Sequence, residues 1–405
     1  MEEKTSEKLV VKEHKTICVV TPELRSKING FRHKLGVAKA GYPQIVNWNG
    51  SDMAQWDFFP NVPVTASKIY TGNEHYAYSH HQAICKFKEW YVASWSNGFR
   101  HEDHFGQEAH YSWSKDGIHW APYRVLAASP ADAVDGFGYV RNNAGLYADG
   151  NKLYAYVGVC RSNGNVGMGM NHMVSRGIWL DVYVTEDLQN WQHVERIADD
   201  IYLFEGPRLT KDGKLLCCGF DINDWSQGLV LIWEKSADPS SKPRMIKMPK
   251  SAEDLVVEQG TWYQRDDGAI FMYLREGKNL FTIALSLSYD GGETWSEPVR
   301  TDFPSTYARA HAGRLNDGRY YIIGNNYDHY VDRSHQLIAL SDDGLQFDRM
   351  YTILNTPTTR RIDGYHKENG FHYPNSFADG DQLVMICSEN KEDIVAAIVD
   401  TRNLI

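Results

Sequence analysis

No stretch of this 405-residue chain approaches the ~18 apolar residues of a membrane span, and Met1-Glu2-Glu3-Lys4 begins it without the apolar core of a secretion signal. A membrane is therefore not an expected partner. Cysteine is scarce, with six residues (Cys18, Cys85, Cys160, Cys217, Cys218 and Cys387), none in a CxxC pair. Most lie inside apolar runs and read as buried free thiols. HExxH and other compact zinc signatures are missing too. Basic residues are the minority, 42 Lys and Arg against 52 Asp and Glu, for a net charge of -10. Nucleic acid is excluded as an expected partner, because phosphate binding wants a basic face. An acidic sugar is not excluded, since a funnel can be locally basic on an acidic protein. Long 3.6-residue apolar periodicity is also lacking, so little helix is expected.

What the chain has is a repeated hairpin. Asn49-Gly50, Asp149-Gly150, Asp212-Gly213, Asp267-Gly268, Asp317-Gly318 and Asp379-Gly380 each separate two apolar runs, and Lys88-Glu89 holds the equivalent place in a repeat without glycine. Such turns call for positive φ at both central residues. The second run is usually aromatic, as in Trp90-Tyr91-Val92 and Tyr320-Tyr321-Ile322-Ile323. Steps between turns are 39, 61, 63, 55, 50 and 62 residues, roughly one four-stranded sheet each. The reading is all-β: a single seven-bladed β-propeller of four-stranded antiparallel blades over residues 1–405. Residues 1–39 would be the lead-in and 40–400 the blades. First strands are expected near Tyr42, His81, Asn143, Pro207, Thr261, His311 and Tyr373. Lys8–Val20 alternates like a strand and is expected to pair with Ile394–Val399, closing the ring without a free edge.

A second repeat overlies the first. Ser114-Lys115-Asp116-Gly117-Ile118-His119-Trp120 matches Ser288-Tyr289-Asp290-Gly291-Gly292-Glu293-Thr294-Trp295, with weaker copies at Thr185–Trp191 and Ser341–Phe347. These are Asp boxes, in which Ser and Asp side chains bond the turn backbone and the aromatic packs between blades. A copy is lost around Ala237-Asp238-Pro239.

Strand direction sorts side chains by face. Asp-Gly turns and Asp boxes share one rim, so the loops leading into first strands and those joining second to third strands share the other. That second rim, the mouth, carries His80, His81 and His101, then Asn142, Asn143, Arg161 and Arg176. It continues through Glu205, Arg208, Gln259, Arg275, Arg309, His311, Tyr373 and Asn375. Arginine grips a carboxylate through two parallel hydrogen bonds, and His or Tyr moves protons near neutral pH. This set suits β-elimination from a uronate: one group neutralises the carboxylate, a base takes the C5 proton, and an acid protonates the departing O4. A hydrolase would ordinarily want two opposed carboxylates, and Glu205 lacks a convincing partner. No cofactor is required for such chemistry; a structural divalent cation, Ca²⁺ or Zn²⁺, ringed by inner-strand carbonyls stays open. A lone His at a strand start is otherwise a structural residue, and Arg208 and Arg309 could be salt bridges between blades.

The four Asp boxes, Ser79-His80-His81-Gln82, Tyr91–Gly98, Ala312–Arg319 and Tyr373-Pro374-Asn375 resemble the sialidase-like seven-bladed propellers that act on uronate polysaccharides. These include ulvan lyases and the lyases and α-L-rhamnosidases acting between L-rhamnose and glucuronate in arabinogalactan and gum arabic. The resemblance implies a polysaccharide lyase with His81 and His101 catalytic, Arg208 neutralising the carboxylate, and Tyr139 or Tyr156 as the tyrosine. His80 and the remaining mouth residues would bind an acidic plant or algal glycan. The alternatives are an α-L-rhamnosidase-type hydrolase, disfavoured by Gln44 where a histidine is expected, and a non-catalytic glycan-binding propeller. A true sialidase is disfavoured because Tyr42-Pro43-Gln44 offers no Arg-Ile-Pro motif and no Tyr-Glu nucleophile pair stands out. The resemblance also implies a secreted or periplasmic protein whose leader has been removed.

Overall fold

The computed structural model describes residues 59–130, 133–163, 176–252, 255–277, 281–325 and 333–405. The described chain opens with β1 (Val64–Tyr70) and then forms blade one from β2 (Tyr78–Phe87), β3 (Trp90–Gly98), β4 (Glu108–Ser114) and β5 (Arg124–Ala127). Blade two is β6 (Gly138–Ala148), β7 (Leu153–Ser162), β8 (Arg176–Thr185) and β9 (Gln192–Asp199). In blade three the inner strand is split into β10 (Ile201–Leu203) and β11 (Arg208–Leu209), both pairing with β12 (Leu215–Asp221), followed by β13 (Asp224–Trp233) and β14 (Arg244–Lys247). Pro207, which has no N–H for a ladder, sits in the split. Blade four is β15 (Val257–Gln264), β16 (Ile270–Glu276), β17 (Thr282–Ser288) and β18 (Val299–Pro304). Blade five is β19 (His311–Arg314), β20 (Tyr320–Gly324), β21 (Gln336–Ser341) and β22 (Arg349–Leu354). Blade six is β23 (Phe371–Asp379), β24 (Gln382–Glu389) and β25 (Asp393–Asp400), with β1 as its fourth strand.

Among the described residues the propeller therefore has six blades, which corrects the expected seven. The supposed first blade, from Tyr42 through Asn49-Gly50, lies outside the described residues, and the chain between residues 59 and 77 supplies one strand rather than a sheet. The short 39-residue step was the sequence sign of this. Ring closure by an N-terminal strand does occur, but through β1, whose Val64 pairs with Val399 and Lys68 with Val395. Lys8–Val20, expected in that role, lies outside the described residues. Lys68 Nζ reaches Asp393 at 2.7 Å and adds an ion pair to the closure.

The core is built between blades. Side chains alternate along each strand, so Leu215 and Cys217 face blade two while Leu216 and Cys218 face blade four. Six such layers close the circle, the last joining Ile69 of β1 and Val384 of β24 to Ile84 and Trp95 of blade one. The hairpin turns form as read, with one correction to their geometry. Gly150, Gly213, Gly268, Gly318 and Gly380 have positive φ, but the Asp before each does not. Gly318 N donates to Leu315 O at 3.0 Å, as in a type I turn closed by a left-handed glycine. All four Asp boxes are in place; in the first, Ile118 N and His119 N both donate to Asp116 Oδ1, at 2.9 and 2.8 Å.

Candidate active site

Four inner strands carry a β-bulge near the axis: between His80 and Ala83, Asn143 and Gly145, Glu258 and Gly260, and His372 and Asn375. His81, Gln259 and Tyr373 occupy three of them with φ of 51°, 40° and 54°, left-handed backbone that is costly for non-glycine residues. A bulge lets consecutive residues face the same way. His80 and His81 thus stack with ring centroids 3.8 Å apart.

Around them the mouth loops deliver a charged cluster. Glu102, from the loop after β3, lies 3.5 Å from His80 Nδ1, 3.6 Å from Lys391 Nζ and 2.5 Å from His366 Nδ1. Lys391, in the β24–β25 turn, is almost fully buried and donates to Tyr78 Oη at 3.0 Å and His366 O at 2.7 Å. Its Nζ stands 5.1 Å over the Tyr373 ring, and the Arg333 guanidinium lies 5.1 Å from the same ring. Burial alone would raise the Tyr373 phenol, but Lys391 and Arg333 outweigh it and bring the pKa down to about 8. Arg275 rests 3.8 Å over the Tyr307 ring and donates to Gln259 Oε1 at 2.9 Å.

Two adjacent carboxyls are driven apart. Burial opposes the charge of Glu102, yet Lys391 and then His366 and His80 hold it well below the usual carboxylate range. Asp103 is raised, by burial and by the Glu102 charge, against the opposing pull of His80. Its Oδ2 accepts from Tyr202 Oη at 3.1 Å. Burial, helped by His80 and Arg309, keeps the His81 imidazole neutral.

The other expected site residues are placed as follows. Arg309 donates to the carbonyls of Phe204, Gln82 and Tyr373. Glu205, Arg208 and His311 form a separate ion cluster, Arg208 Nη2 being 2.5 Å and His311 Nε2 3.6 Å from Glu205 Oε1. Arg208 is thereby spoken for and is not brought to the Tyr373 cluster. His101 Nδ1 accepts the Tyr365 N–H at 2.9 Å in the loop beside Glu102. Asn142 donates to Tyr202 Oη at 2.6 Å, while Asn143 and Asn375 bind strand partners in blade one. Arg161 ties down Val134 O and Phe137 O, and Tyr139 packs against Trp179. Arg161 also pairs through the backbone with Arg176. Tyr156, the other candidate tyrosine, lies in the core between blades two and three, donating to Pro239 O at 2.9 Å.

Lys391 and Arg333 were not singled out from the sequence, and Glu102 and Asp103, which strand direction puts on the mouth rim, read there as a solvated loop. The rule that second-to-third-strand loops open on the mouth covers the first two as well and could have found them. As to metals, His80, His81 and Glu102 are the donor set among the described residues, with ligand atoms within 4.8 Å of one another. Lys391 already supplies positive charge at that carboxylate.

The Asp boxes and the ring of sheets agree with the family comparison. Residues 92–386 match the profile of the BNR repeat-like domain. The chain belongs to the BNR repeat-like family. Among curated proteins, none matches. Among solved structures, the chain is similar to a sialidase at TM-score 0.60 and 17% identity, covering 84% of this chain and 33% of that one. This BNR chain thus spans about a third of that sialidase. A Dyadobacter fermentans protein of unknown function aligns at TM-score 0.64 and 16% identity, over 83% of this chain and 99% of its own. The intramolecular trans-sialidase of Ruminococcus gnavus aligns at TM-score 0.63 and 11% identity, over 84% and 98%. At these identities the likeness establishes a sialidase-like propeller fold.

Proposed function

We propose that this protein is a carbohydrate-active enzyme that cleaves a glycosidic bond at a carboxylate-bearing sugar, with Tyr373 as nucleophile. The observation that carries this reading is the Tyr373 phenol placed between Lys391 and Arg333 and ionising at about 8. Tyrosine is a known covalent nucleophile, and sialidases use one in place of a second carboxylate. The phenolate attacks the anomeric carbon, the bond to the leaving oxygen breaks, and the Asp103 proton passes to that oxygen. Water then attacks the same carbon, Asp103 takes its proton, and Tyr373 leaves. Neighbouring carboxyls shifted in opposite directions suit such a division of labour: burial and the Glu102 charge favour a proton on Asp103, while Lys391 favours the ionised form of Glu102. The names of the structural neighbours support a sialic-acid-type substrate.

A second reading keeps the elimination on glucuronate glycans of the ulvan or rhamnosyl-arabinogalactan type. It is favoured by the neutral His81 imidazole with its ring 6.1 Å from that of Tyr373, where either could take a C5 proton. One experiment separates them. Incubation with sialyllactose, gum arabic and ulvan should release free sugar acid without ultraviolet absorbance, and Tyr373→Phe should lose it by about 10³-fold or more at an unchanged melting temperature. Growth of unsaturated-uronate absorbance would replace hydrolysis with elimination. Full activity in Tyr373→Phe would remove the nucleophile assignment.

A further inference from the structure

Residues 355–370 join blade five to blade six and cross the mouth. Arg100 Nε donates to Asp363 O at 2.8 Å, and His366 is paired with Glu102. Tyr78 Oη donates to His366 O at 3.1 Å. Behind this strap, Glu368 points a carboxylate at the cations of the active site. Its Oε2 lies 3.8 Å from Arg333 Nη1 and 3.8 Å from Lys391 Nζ, is buried, and has no hydrogen-bond partner. Charge-assisted bonds to carboxylates close to about 2.7–2.9 Å, so Glu368 is held by position and not by bonding. Arg333 Nε and Arg275 Nε are buried without hydrogen bonds as well. The pocket therefore offers more donor capacity than Glu368 uses, and leaving it unused is costly.

We propose that Glu368 is an internal stand-in for the ligand's carboxylate. Arg333 and Lys391 form a carboxylate receptor beside Tyr373, and docking of a sugar acid displaces Glu368 together with its strap. This rests on the reading of Tyr373 as the reactive centre. It also accounts for an active-site cluster that is almost wholly buried, with Tyr373 5% and Lys391 2% exposed. An internal competitor lowers the affinity for any anionic ligand, and selects against neutral sugars, which gain nothing by displacing it.

The test is calorimetric titration of the full chain and of Glu368→Gln with N-acetylneuraminate and glucuronate, using N-acetylglucosamine as the neutral control. Glu368→Gln should bind at least one sugar acid about fivefold more tightly, as expected for losing a weakly held competing charge, with no gain for the neutral sugar. Arg333→Gln should lose sugar-acid binding. Hydrogen exchange at the Tyr365 amide, which donates to His101, should quicken in the complex as the strap lifts. Equal or weaker affinity in Glu368→Gln, slower exchange on binding, or no binding of either sugar acid to either protein overturns the proposal. Tighter binding in Glu368→Gln without any glycoside cleavage by the parent chain upholds the stand-in and rejects the reaction. Cleavage without the affinity gain does the reverse.

Discussion

Lys391 shares one ammonium between two acids: its Nζ lies 3.6 Å from Glu102 Oε1 and 5.1 Å over the ring of Tyr373. Removing it should act on both in the same direction, because each loses a stabiliser of its charged form.

Tyr373 should titrate visibly. Ultraviolet difference absorbance should show a phenolate forming with a midpoint near pH 8, absent from Tyr373→Phe. Its folded pKa lies below the ordinary 10.0, so ionisation stabilises the fold increasingly from about pH 8 up to the ordinary value. Lys391→Met should push the midpoint upward. A midpoint that stays near 8 in that variant would remove Lys391 as the cause.

Glu205 should contribute to acid stability. Burial works against its charge, but Arg208 and His311 bring its pKa from 4.5 to about 2. Its stabilisation is present above the ordinary value and is lost as pH falls from there towards 2. Glu205→Gln should cost about 2–3 kcal/mol at neutral pH, since it leaves Arg208 without its carboxylate, and should flatten the melting curve's acid dependence. An unchanged acid midpoint would dismiss this pair.

Asp290 should matter to folding and not to turnover. It accepts from Thr294 N at 2.9 Å and Thr294 Oγ1 at 2.6 Å in an Asp box on the rim opposite the mouth. Asp290→Ala is expected to cost about 1 kcal/mol with kcat unchanged. Loss of kcat at constant melting temperature would mean the rims have been assigned the wrong way round.

Gly145 is a sharper structural test. It has φ of 119°, and a Cβ there would sit 1.9 Å from Gly206 N across the gap between blades two and three. Gly145→Ala should destabilise by about 3 kcal/mol or more, or prevent folding, as seen by soluble yield and calorimetry. Near-normal melting would show that these inner strands do not approach so closely.

Legibility divided along physical lines. Hairpins and Asp boxes were readable because each is set by neighbours a few residues apart: Asp267-Gly268 turns and Ser341-Asp343 bonds need no distant partner. The count of blades was misread because β1 is fixed by β25, more than 300 residues away, and no local pattern announces that pairing. Tyr156 could not be placed from the sequence because a mid-strand tyrosine has two faces to choose from, and only the packing of Trp233 from the next blade decides between them. His81 could be assigned to the mouth rim from strand direction, whereas the bulge that turns it onto His80 carries no glycine to betray it.

The sequence by itself determined an all-β ring built from repeating hairpins, and which rim its polar loops share, because strand alternation and turn chemistry act over short range. Tertiary structure alone decided how many sheets close that ring and which charges meet at Tyr373. Lys391, Arg333 and Glu102 come from different loops, and the perturbed phenol exists only where their fields overlap in a site shielded from water.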